Sequence, residues 1–269
     1  APESVLVAST GIIGVQLPME KINVGIDQVV DALSKDGALA TQAIMTTDLT
    51  EKNIAVELET QGNKVVIGGI AKGSGMIHPN MGTMLGFITT DIAIDRDILK
   101  RAFLASVDES YNMISVDGDT STNDTAIILA NGLAGNDLIA SESDEGYAEF
   151  VEALRFINQT LAMKIAEDGE GATKLIETNV FGAKTVDDAR KVAKSVIGSS
   201  LVKTAIFGGD ANWGRILCAV GYSSADLLVN KIEIFVKGGA AQIQIVAHGA
   251  GIAFDEALLA QIFSEKKVE

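Results

Sequence analysis

The chain has 269 residues, 47% of them hydrophobic, so it can bury a sizeable core as one large domain or two smaller ones. Its formal net charge of −15 excludes the basic surface that nucleic-acid binding normally needs, and no apolar run reaches the roughly 18 residues of a membrane span. We therefore expect neither a nucleic-acid nor a membrane partner. The single cysteine excludes an intrachain disulfide and fits a reducing, cytoplasmic location, and with two histidines we expect no metal site.

Strand patterns dominate the first quarter of the chain. Four short apolar stretches predict strands: residues 4–8, 43–48, 54–59 and 64–70. Residues 60–63 have the composition of a hairpin turn between the last two stretches. One amphipathic helix is predicted over residues 18–37, closed by Gly37. The hydroxyls of Thr46 and Thr47, at the polar end of a predicted strand, can bind a substrate or cap a turn.

A glycine-rich segment follows at residues 66–91, with six glycines among 26 residues. Glycine admits positive φ and close backbone approach, so this density indicates either tight turns between buried strands or a ligand against the main chain. Lys72 is preceded by Ala71 and followed by Gly73, which breaks the order of a G-x-x-x-x-G-K-[ST] phosphate loop. The segment also lacks G-x-G-x-x-G, so we exclude dinucleotide binding and expect no cofactor.

Within this segment, Thr83 follows Gly82 and begins an apolar strand pattern. A threonine hydroxyl is a weak nucleophile unless a base accepts its proton, and one solution uses the residue's own α-amino group. Backbone cleavage between the two residues frees that amine: the hydroxyl attacks the Gly82 carbonyl, the amide becomes an ester, and water releases the upstream chain. Such an amine has a reference pKa of about 7.7 to 8.0, which suits general-base work. A simple turn is the structural alternative.

The residues around this pair resemble a known family. KGSGMIHPNMGTML at residues 72–85, followed by FITTD, is similar to the self-processing block of the ornithine acetyltransferases, also called glutamate N-acetyltransferases. VLVASTGIIG, AIMTTD, DGEGATKLIE and FGGDANWGRILCAVGYS resemble further blocks of that family, so the likeness covers most of the chain. The resemblance implies self-cleavage before Thr83, which then carries an acetyl group from N-acetyl-ornithine to glutamate.

The resemblance also implies site residues: Thr10 and Gly11 as the oxyanion hole, and Thr46 or Thr47, Lys72 and Glu170 as substrate ligands. A lysine facing a carboxylate and a glutamate facing an ammonium group fit a zwitterionic amino acid. Each position has a structural alternative: a turn for the first pair, a solvated charge for the lysine, and an exposed acid after a helix C-cap for the glutamate.

The remainder of the chain mixes helix and strand patterns. Helices are predicted after the capping residue Asp95, along residues 150–165 and 184–197, and at residues 255–263. Strands are predicted at residues 113–117, 125–130, 201–207, 216–220, 232–236 and 241–247. The polar loop at residues 118–124 is expected to satisfy its own turn, and the resemblance implies that it lies close to the active site. Cys218 is expected to be a small buried hydrophobe.

This mixture lacks strict βαβ alternation, so we predict an α+β fold of layered sheets and helices. The resemblance implies a sandwich like that of N-terminal-nucleophile hydrolases. It also implies two intertwined parts, residues 1–82 and 83–269, with a smaller C-terminal subdomain, assembled as a heteromer that oligomerises further. Family members extend before VLVAST and after SEKKVE, so we expect this chain to be a fragment. The alternatives are a self-processed aminopeptidase or amidohydrolase and an inactive truncated scaffold.

Overall fold

The computed structural model describes residues 5–33, 37–79 and 84–269. The predicted cleavage site, Gly82 and Thr83, lies outside the described residues. The helices are α1 (Met19–Asp31), α2 (Ala38–Ala43), α3 (Arg96–Asp108), α4 (Tyr147–Glu167), α5 (Val186–Gly198), α6 (Ser200–Phe207), α7 (Trp213–Gly221) and α8 (Glu256–Ser264). The strands are β1 (Lys52–Thr60), β2 (Asn63–Lys72), β3 (Leu85–Thr90), β4 (Thr125–Ala130), β5 (Leu175–Ile176), β6 (Ile234–Gly238), β7 (Ala241–Ala247), β8 (Ala250–Gly251) and β9 (Lys267–Val268).

The strands β1 to β4 form one sheet in the order β1-β2-β3-β4. The first two strands make the predicted hairpin, and Gln61 and Gly62 turn it with φ of 51° and 71°. The third strand runs antiparallel to β2 and parallel to β4. The start of β1, the end of β2 and the starts of β3 and β4 therefore meet at one end of the sheet. This end carries Lys72, opposite Leu85 in the register.

The long helix α4 covers this sheet and forms the first hydrophobic core. Its predicted apolar stripe is fully buried: Phe150, Leu154, Ile157, Leu161 and Ile165. The helix approaches the sheet closely at Gly69, where a Cβ would lie 2.8 Å from Cδ1 of Ile88 and 2.9 Å from Cδ1 of Leu161. On its other flank α4 packs with α3, which begins at the predicted cap, since the Asp95 side chain accepts N–H bonds from the first turn.

A second hydrophobic core lies toward the C-terminus. The helices α5, α6 and α7 and the terminal helix α8 pack around the sheet β6-β7-β8. The β6–β7 hairpin and the α8 helix agree with the sequence predictions. The mixture of helices and antiparallel and parallel strands confirms the predicted α+β class.

Two predicted strands in this second core are wrong, because residues 201–207 lie in α6 and residues 216–220 lie in α7. Short apolar runs do not distinguish a strand from a buried helix by periodicity alone. The distinguishing signals are the capping residues. Ser199 accepts the Val202 N–H and Asn212 accepts the Arg215 N–H, and each stabilises the first turn of its helix. Cys218 falls on α7 and is exposed, so its predicted burial is also wrong.

Four further expectations from the sequence are wrong. The described residues 5–8 form no strand, and Val5 and Val7 are 66% and 82% exposed. The predicted strand at residues 43–48 instead begins at the last residue of α2 and continues as a loop. Residues 113–117 likewise begin at the last residue of a 3-10 turn and form no strand. The first helix ends at Asp31 rather than at Gly37, and all of its residues are at least partly exposed within the described chain.

Candidate active site

Lys72 ends β2 and its side chain is buried. Its Nζ donates a hydrogen bond to Oγ1 of Thr46 over 2.8 Å and lies 3.7 Å from Oδ2 of Asp48. The Thr46 N–H in turn donates to the same Asp48 carboxylate. Thr46 and Thr47 are both exposed, and the hydrogen bond from Lys72 is what identifies Thr46 as the threonine of the TTD block that meets the lysine.

Glu170 reaches the same glycine-rich segment from the end of α4. Its backbone N–H donates to the carbonyl of Ser74 over 2.8 Å. Its carboxylate lies against Gly75, where a Cβ would come 2.5 Å from Oε2. A glycine is therefore needed at this point for the close approach. Glu170 therefore contacts the glycine-rich segment at Gly75, three residues after Lys72.

A buried ion network supports this turn, and sequence reasoning missed it. Lys52 is fully buried, and its Nζ lies 2.8 Å from Oδ1 of Asp48 and 2.6 Å from Oδ2 of Asp168. Burial raises the pKa of Asp48, but hydrogen bonds from Lys52 and from the N–H groups of Gly73 and Thr46 outweigh it and leave the pKa below its usual value. Lys52 and Asp168 are 116 residues apart, so no local pattern signals the contact.

The network also forms hydrogen bonds with backbone groups. The Gly73 N–H donates to Asp48 over 2.6 Å, and Ser74 Oγ donates to the carbonyl of Asp168 over 2.8 Å. Asp168 also accepts the N–H groups of Leu49 and Thr50. The loop that carries Thr46, the end of β2 and the end of α4 are therefore held together by a single set of buried groups.

The loop at residues 118–124 brings the predicted oxyanion-hole segment to the same end of the sheet. Asn123 Nδ2 donates to the carbonyl of Ser9 over 3.2 Å, next to the partly buried Thr10 and the exposed Gly11. The following residue, Asp124, accepts the Met84 N–H through Oδ1 over 2.6 Å. One loop therefore contacts both the residue before Thr10 and the residue after Thr83.

The preceding residues of this polar region hold the other flank of the glycine-rich segment. Asp117 accepts the N–H groups of Met76 and Ile77 over 2.6 and 3.0 Å. His78 Nδ1 lies 2.8 Å from Oγ of Ser115. Burial, together with the nearby cations of two lysines, lowers the pKa of His78, so this imidazole is neutral at neutral pH. The sequence predicts only that the polar loop satisfies its own turn. In the structure this region also fixes the described backbone on both sides of residues 80–83.

A cleft of about 740 Å³ lies between the two hydrophobic cores. It is lined by α4, by residues 109–116 and by α5 and α6, and Glu170 lies at its wall. The cleft therefore includes Glu170 but not Lys72, Thr46 or Thr10. Within the described part of the chain, no three histidine, cysteine, aspartate or glutamate side chains are grouped to hold a metal ion. Every helix among the described residues is too short or too polar to cross a membrane.

The fold and the site define an α+β enzyme whose polar residues gather around a glycine-rich turn at one end of a mixed sheet. The sequence model of the ArgJ family matches residues 1–269, and the chain belongs to this family. The membership confirms the resemblance that residues 72–85 indicate.

Two curated relatives and one solved structure illustrate the similarity. The "Arginine biosynthesis bifunctional protein ArgJ" of Thermotoga neapolitana is 54% identical over 99% of this chain and 67% of its own length. Its namesake from Caldanaerobacter subterraneus is 53% identical over 99% of this chain and 66% of its own length. The crystal structure of arginine biosynthesis bifunctional protein argJ from Bacillus halodurans has 43% identity and a TM-score of 0.62, covering 68% of this chain and 84% of that one. The present chain spans about two thirds of the length of these curated relatives.

Proposed function

We propose that this chain carries the acetyl-transfer site of an arginine-biosynthesis enzyme, which moves an acetyl group from N-acetyl-ornithine to glutamate. Membership of the ArgJ family and the names of its relatives support the pathway. The observation that carries the proposal is the placement of Lys72, Thr46 and Glu170 around one turn of the segment that continues to Thr83.

The three side chains suit an amino-acid ligand. The Lys72 ammonium attracts a carboxylate, and Thr46 supplies a hydroxyl held in place by that same lysine. Glu170 carries the opposite charge a short distance along the turn and attracts an ammonium group. N-acetyl-ornithine carries an α-carboxylate and a side-chain ammonium group, and glutamate carries two carboxylates and an α-ammonium group, so each offers both kinds of charge to this pair of side chains. Thr46 rather than Thr47 is therefore the proposed substrate ligand.

The proposed chemistry has two half-reactions at Thr83. Its α-amine accepts the hydroxyl proton while Oγ attacks the acetyl carbonyl, and the ornithine nitrogen leaves with that proton. Glutamate then attacks the acetyl-threonine ester, and its proton returns to Oγ. The Thr10 hydroxyl and the Gly11 N–H stabilise the oxyanion in both steps, a contribution that typically amounts to about 10² to 10³ per donor. Their tether through Asn123 supports this role.

Cleavage between Gly82 and Thr83 divides the chain into residues 1–82 and 83–269, which we propose remain associated as a heteromer. The pairing of β2 with β3 supports this, because the two strands lie on opposite sides of the cleavage point in one sheet. The assembly of several such heteromers and a cytoplasmic location complete the proposal, the latter supported by the single cysteine.

The test is the mass spectrum of the complete polypeptide with and without Thr83→Ala. We expect the unmodified protein to give a fragment that begins TMLGF and to transfer acetyl groups to glutamate far faster than to water. The variant is expected to stay intact and inactive. Thr89→Ala is the matched control, because it makes the same substitution at a threonine that is exposed on β3. Cleavage or transfer by Thr83→Ala contradicts the proposal, and water as the preferred acceptor indicates a hydrolase instead.

A further inference from the structure

Self-cleavage at Thr83 needs a proton acceptor that the mature enzyme does not need. After cleavage the α-amine of Thr83 is free and basic, but in the precursor the same nitrogen belongs to an amide, which has no useful basicity. Some other group must accept the hydroxyl proton in that first reaction. This question rests on the proposed function, since it arises only if Thr83 is the nucleophile.

Asp124 has the features of such a group. Its Oδ1 accepts the N–H of Met84, the residue that follows Thr83 in the chain, over 2.6 Å. Its Oδ2 is buried and has no hydrogen-bond partner, and among the described residues it is the one carboxylate oxygen in this condition. Buried polar atoms are nearly always paired, because an unpaired one loses its hydration without compensation. An unpaired carboxylate oxygen therefore indicates a partner that joins it during function.

The strand register explains why this carboxylate lies there. β4 runs parallel to β3 with Thr125 opposite Leu85, and the Thr125 N–H donates to the Met84 carbonyl over 3.0 Å. The residue before Thr125 is thereby placed beside the residue before Leu85. The position of Asp124 is consequently fixed by the sheet and not by a flexible loop.

A small pocket adjoins the carboxylate. It measures about 10 Å³ and is lined by Pro79, Met84, Val107, Tyr111, Asn112, Asp124, Thr125 and Ala126. Pro79 and Met84 are the described residues on either side of residues 80–83. The volume corresponds to about one small group or one water molecule. The pocket therefore provides space for a single proton-bearing group next to the carboxylate.

We propose that Asp124 is the general base of self-cleavage and that its Oδ2 accepts the proton of the Thr83 hydroxyl. Four covalent bonds connect that hydroxyl oxygen to the Met84 nitrogen, which keeps the two atoms within about 5 Å of each other. Oδ1 of Asp124 lies 2.6 Å from that nitrogen, so the carboxylate is anchored to the residue next to Thr83, and the proton transfer requires the hydroxyl to turn toward Oδ2.

Self-cleavage then proceeds through a tetrahedral adduct and an ester. The hydroxyl proton moves to Oδ2 while Thr83 Oγ bonds to the Gly82 carbonyl carbon. Collapse of the tetrahedral adduct breaks the bond between that carbon and the Thr83 nitrogen, and the nitrogen leaves with the proton from Oδ2. The products are a free amine, an ester and an ionised Asp124. Water then hydrolyses the ester, which releases the Gly82 carboxylate and restores the hydroxyl.

The electrostatics of the pocket suit this role. Burial raises the pKa of Asp124 to about 6, although the hydrogen bond from Met84 opposes the shift. The carboxylate is therefore ionised at neutral pH and basic enough to take part in general-base catalysis. The other titratable groups nearby are Tyr111, whose phenol has a pKa raised by burial and stays protonated, and Lys194 of α5, whose ammonium donates to the carbonyls of Pro79 and Asn112.

The experiment follows the cleavage of freshly translated complete polypeptide by mass spectrometry from pH 5 to pH 8. The unmodified protein is expected to cleave faster as the pH rises through about 6 and then to reach a plateau, because Asp124 ionises over this range. Asp124→Asn keeps an oxygen for the Met84 N–H but is not basic, so we expect cleavage at least about 10²-fold slower and without this rise. Asp124→Glu is expected to restore part of the rate.

Asp91→Asn is the matched control. Asp91 also accepts one backbone N–H through Oδ1, that of Val66 over 2.8 Å, and this variant is expected to cleave at the unmodified rate. Cleavage of Asp124→Asn at the unmodified rate overturns the inference, and so does a pH profile of the unmodified protein that is flat through pH 6, even if the variant fails to fold. Thr83→Ala separates the two ideas: cleavage of that variant refutes the proposed function itself, whereas an intact Thr83→Ala with a normally cleaving Asp124→Asn refutes only the role of Asp124.

Discussion

At the scale of single residues, the candidate site depends on the side chains that pack against the glycine-rich turn between Lys72 and Gly75. Glu170 lies against Gly75, and Lys72 is held by Thr46 and by its proximity to Asp48. The backbone N–H of Glu170 also binds the turn through the Ser74 carbonyl. The two opposite charges are therefore kept at fixed places by short contacts, and small changes in side-chain volume or polarity here should be visible in substrate binding.

Gly75→Ala tests the close approach of Glu170. A Cβ at this position comes 2.5 Å from Oε2, so the carboxylate must move away. Loss of a charged hydrogen bond to substrate is worth about 1.5 to 3 kcal/mol, so we expect KM to rise about 10-fold to 100-fold. Gly221→Ala is the control, because a Cβ there meets open space among the described atoms. An unchanged KM in Gly75→Ala would remove Glu170 from the proposed site.

Thr46→Val and Thr47→Val distinguish the two threonines that the sequence leaves open. Valine has the shape of threonine but lacks the hydroxyl that accepts the Lys72 hydrogen bond. A neutral hydrogen bond contributes about 0.5 to 1.5 kcal/mol, so steady-state kinetics of Thr46→Val should show KM raised about 2-fold to 10-fold. The effect of Thr47→Val should be smaller, and the reverse order would assign the ligand role to Thr47.

At the scale of elements, the buried network of Lys52, Asp48 and Asp168 joins the loop after α2, the hairpin β1–β2 and the end of α4. Three charges away from water are tolerable only because each has close partners. Backbone N–H groups complete the coordination of both aspartates. The network therefore holds the glycine-rich turn at Gly73 and Ser74 in place, and it also contributes to the stability of the fold.

Lys52→Met should be strongly destabilising. The change removes the cation that lies closest to both buried carboxylates, and breaking a buried pair in this way costs about 3 to 5 kcal/mol in the free energy of unfolding. Lys64→Met on the same hairpin is the control, since Lys64 pairs with Glu57 at the surface, where solvent screens the pair, and its loss should change stability far less. Urea unfolding measures the free energy of unfolding of both variants, and an equal loss in the two would contradict this role of the buried network.

The same network predicts how stability depends on acid. The pKa of Asp48 lies below its usual value of 3.8 in the folded protein, so its contribution is fully present above that value. It is lost as the pH falls through the lower folded pKa, when the folded carboxylate is finally protonated. In Lys52→Met burial remains without the cation, which should raise the Asp48 pKa and weaken or reverse this acid-induced loss. The test is to measure the free energy of unfolding of both proteins from about pH 2.5 to about pH 6.

At the scale of the whole molecule, two hydrophobic cores meet across a cleft and are joined by cations from the second core. Lys203 of α6 donates to the carbonyls of Ser115 and Val116 over 3.1 and 2.6 Å. Burial lowers the pKa of Lys203, although a nearby acid opposes the shift. Since the cleft lies between these cores and includes Glu170, the junction sets the position of the second core against the cleft wall that carries Glu170.

Lys203→Met should loosen the junction. It leaves two carbonyl groups without their donor, which costs about 1 to 3 kcal/mol for each group that stays buried. We expect a lower melting temperature and a thermal transition that broadens or divides as the cores unfold separately. Arg190→Met is the control, because Arg190 pairs with Glu109 across the same junction at a more exposed position. A sharp single transition at the unmodified temperature in Lys203→Met would contradict this view.

The sequence by itself determined the features that are encoded within about twenty residues. The β1–β2 hairpin, the Asp95 cap of α3 and the stripe on α4 follow from turn composition, capping and periodicity, and the residues of the glycine-rich block identify the family. Short apolar runs such as residues 201–207 were misassigned because their pattern fits either a strand or a buried helix.

Only the tertiary structure decided which distant groups meet. It joined Lys72 to Thr46, Lys52 to Asp168, and Asp124 to the residue after Thr83. These contacts arise because sheet register and helix packing bring together segments that lie far apart in the chain, and a local pattern carries no information about such a partner. The unpaired oxygen of Asp124 could be recognised only once its surroundings were known, since burial is a property of the packed molecule and not of the residue.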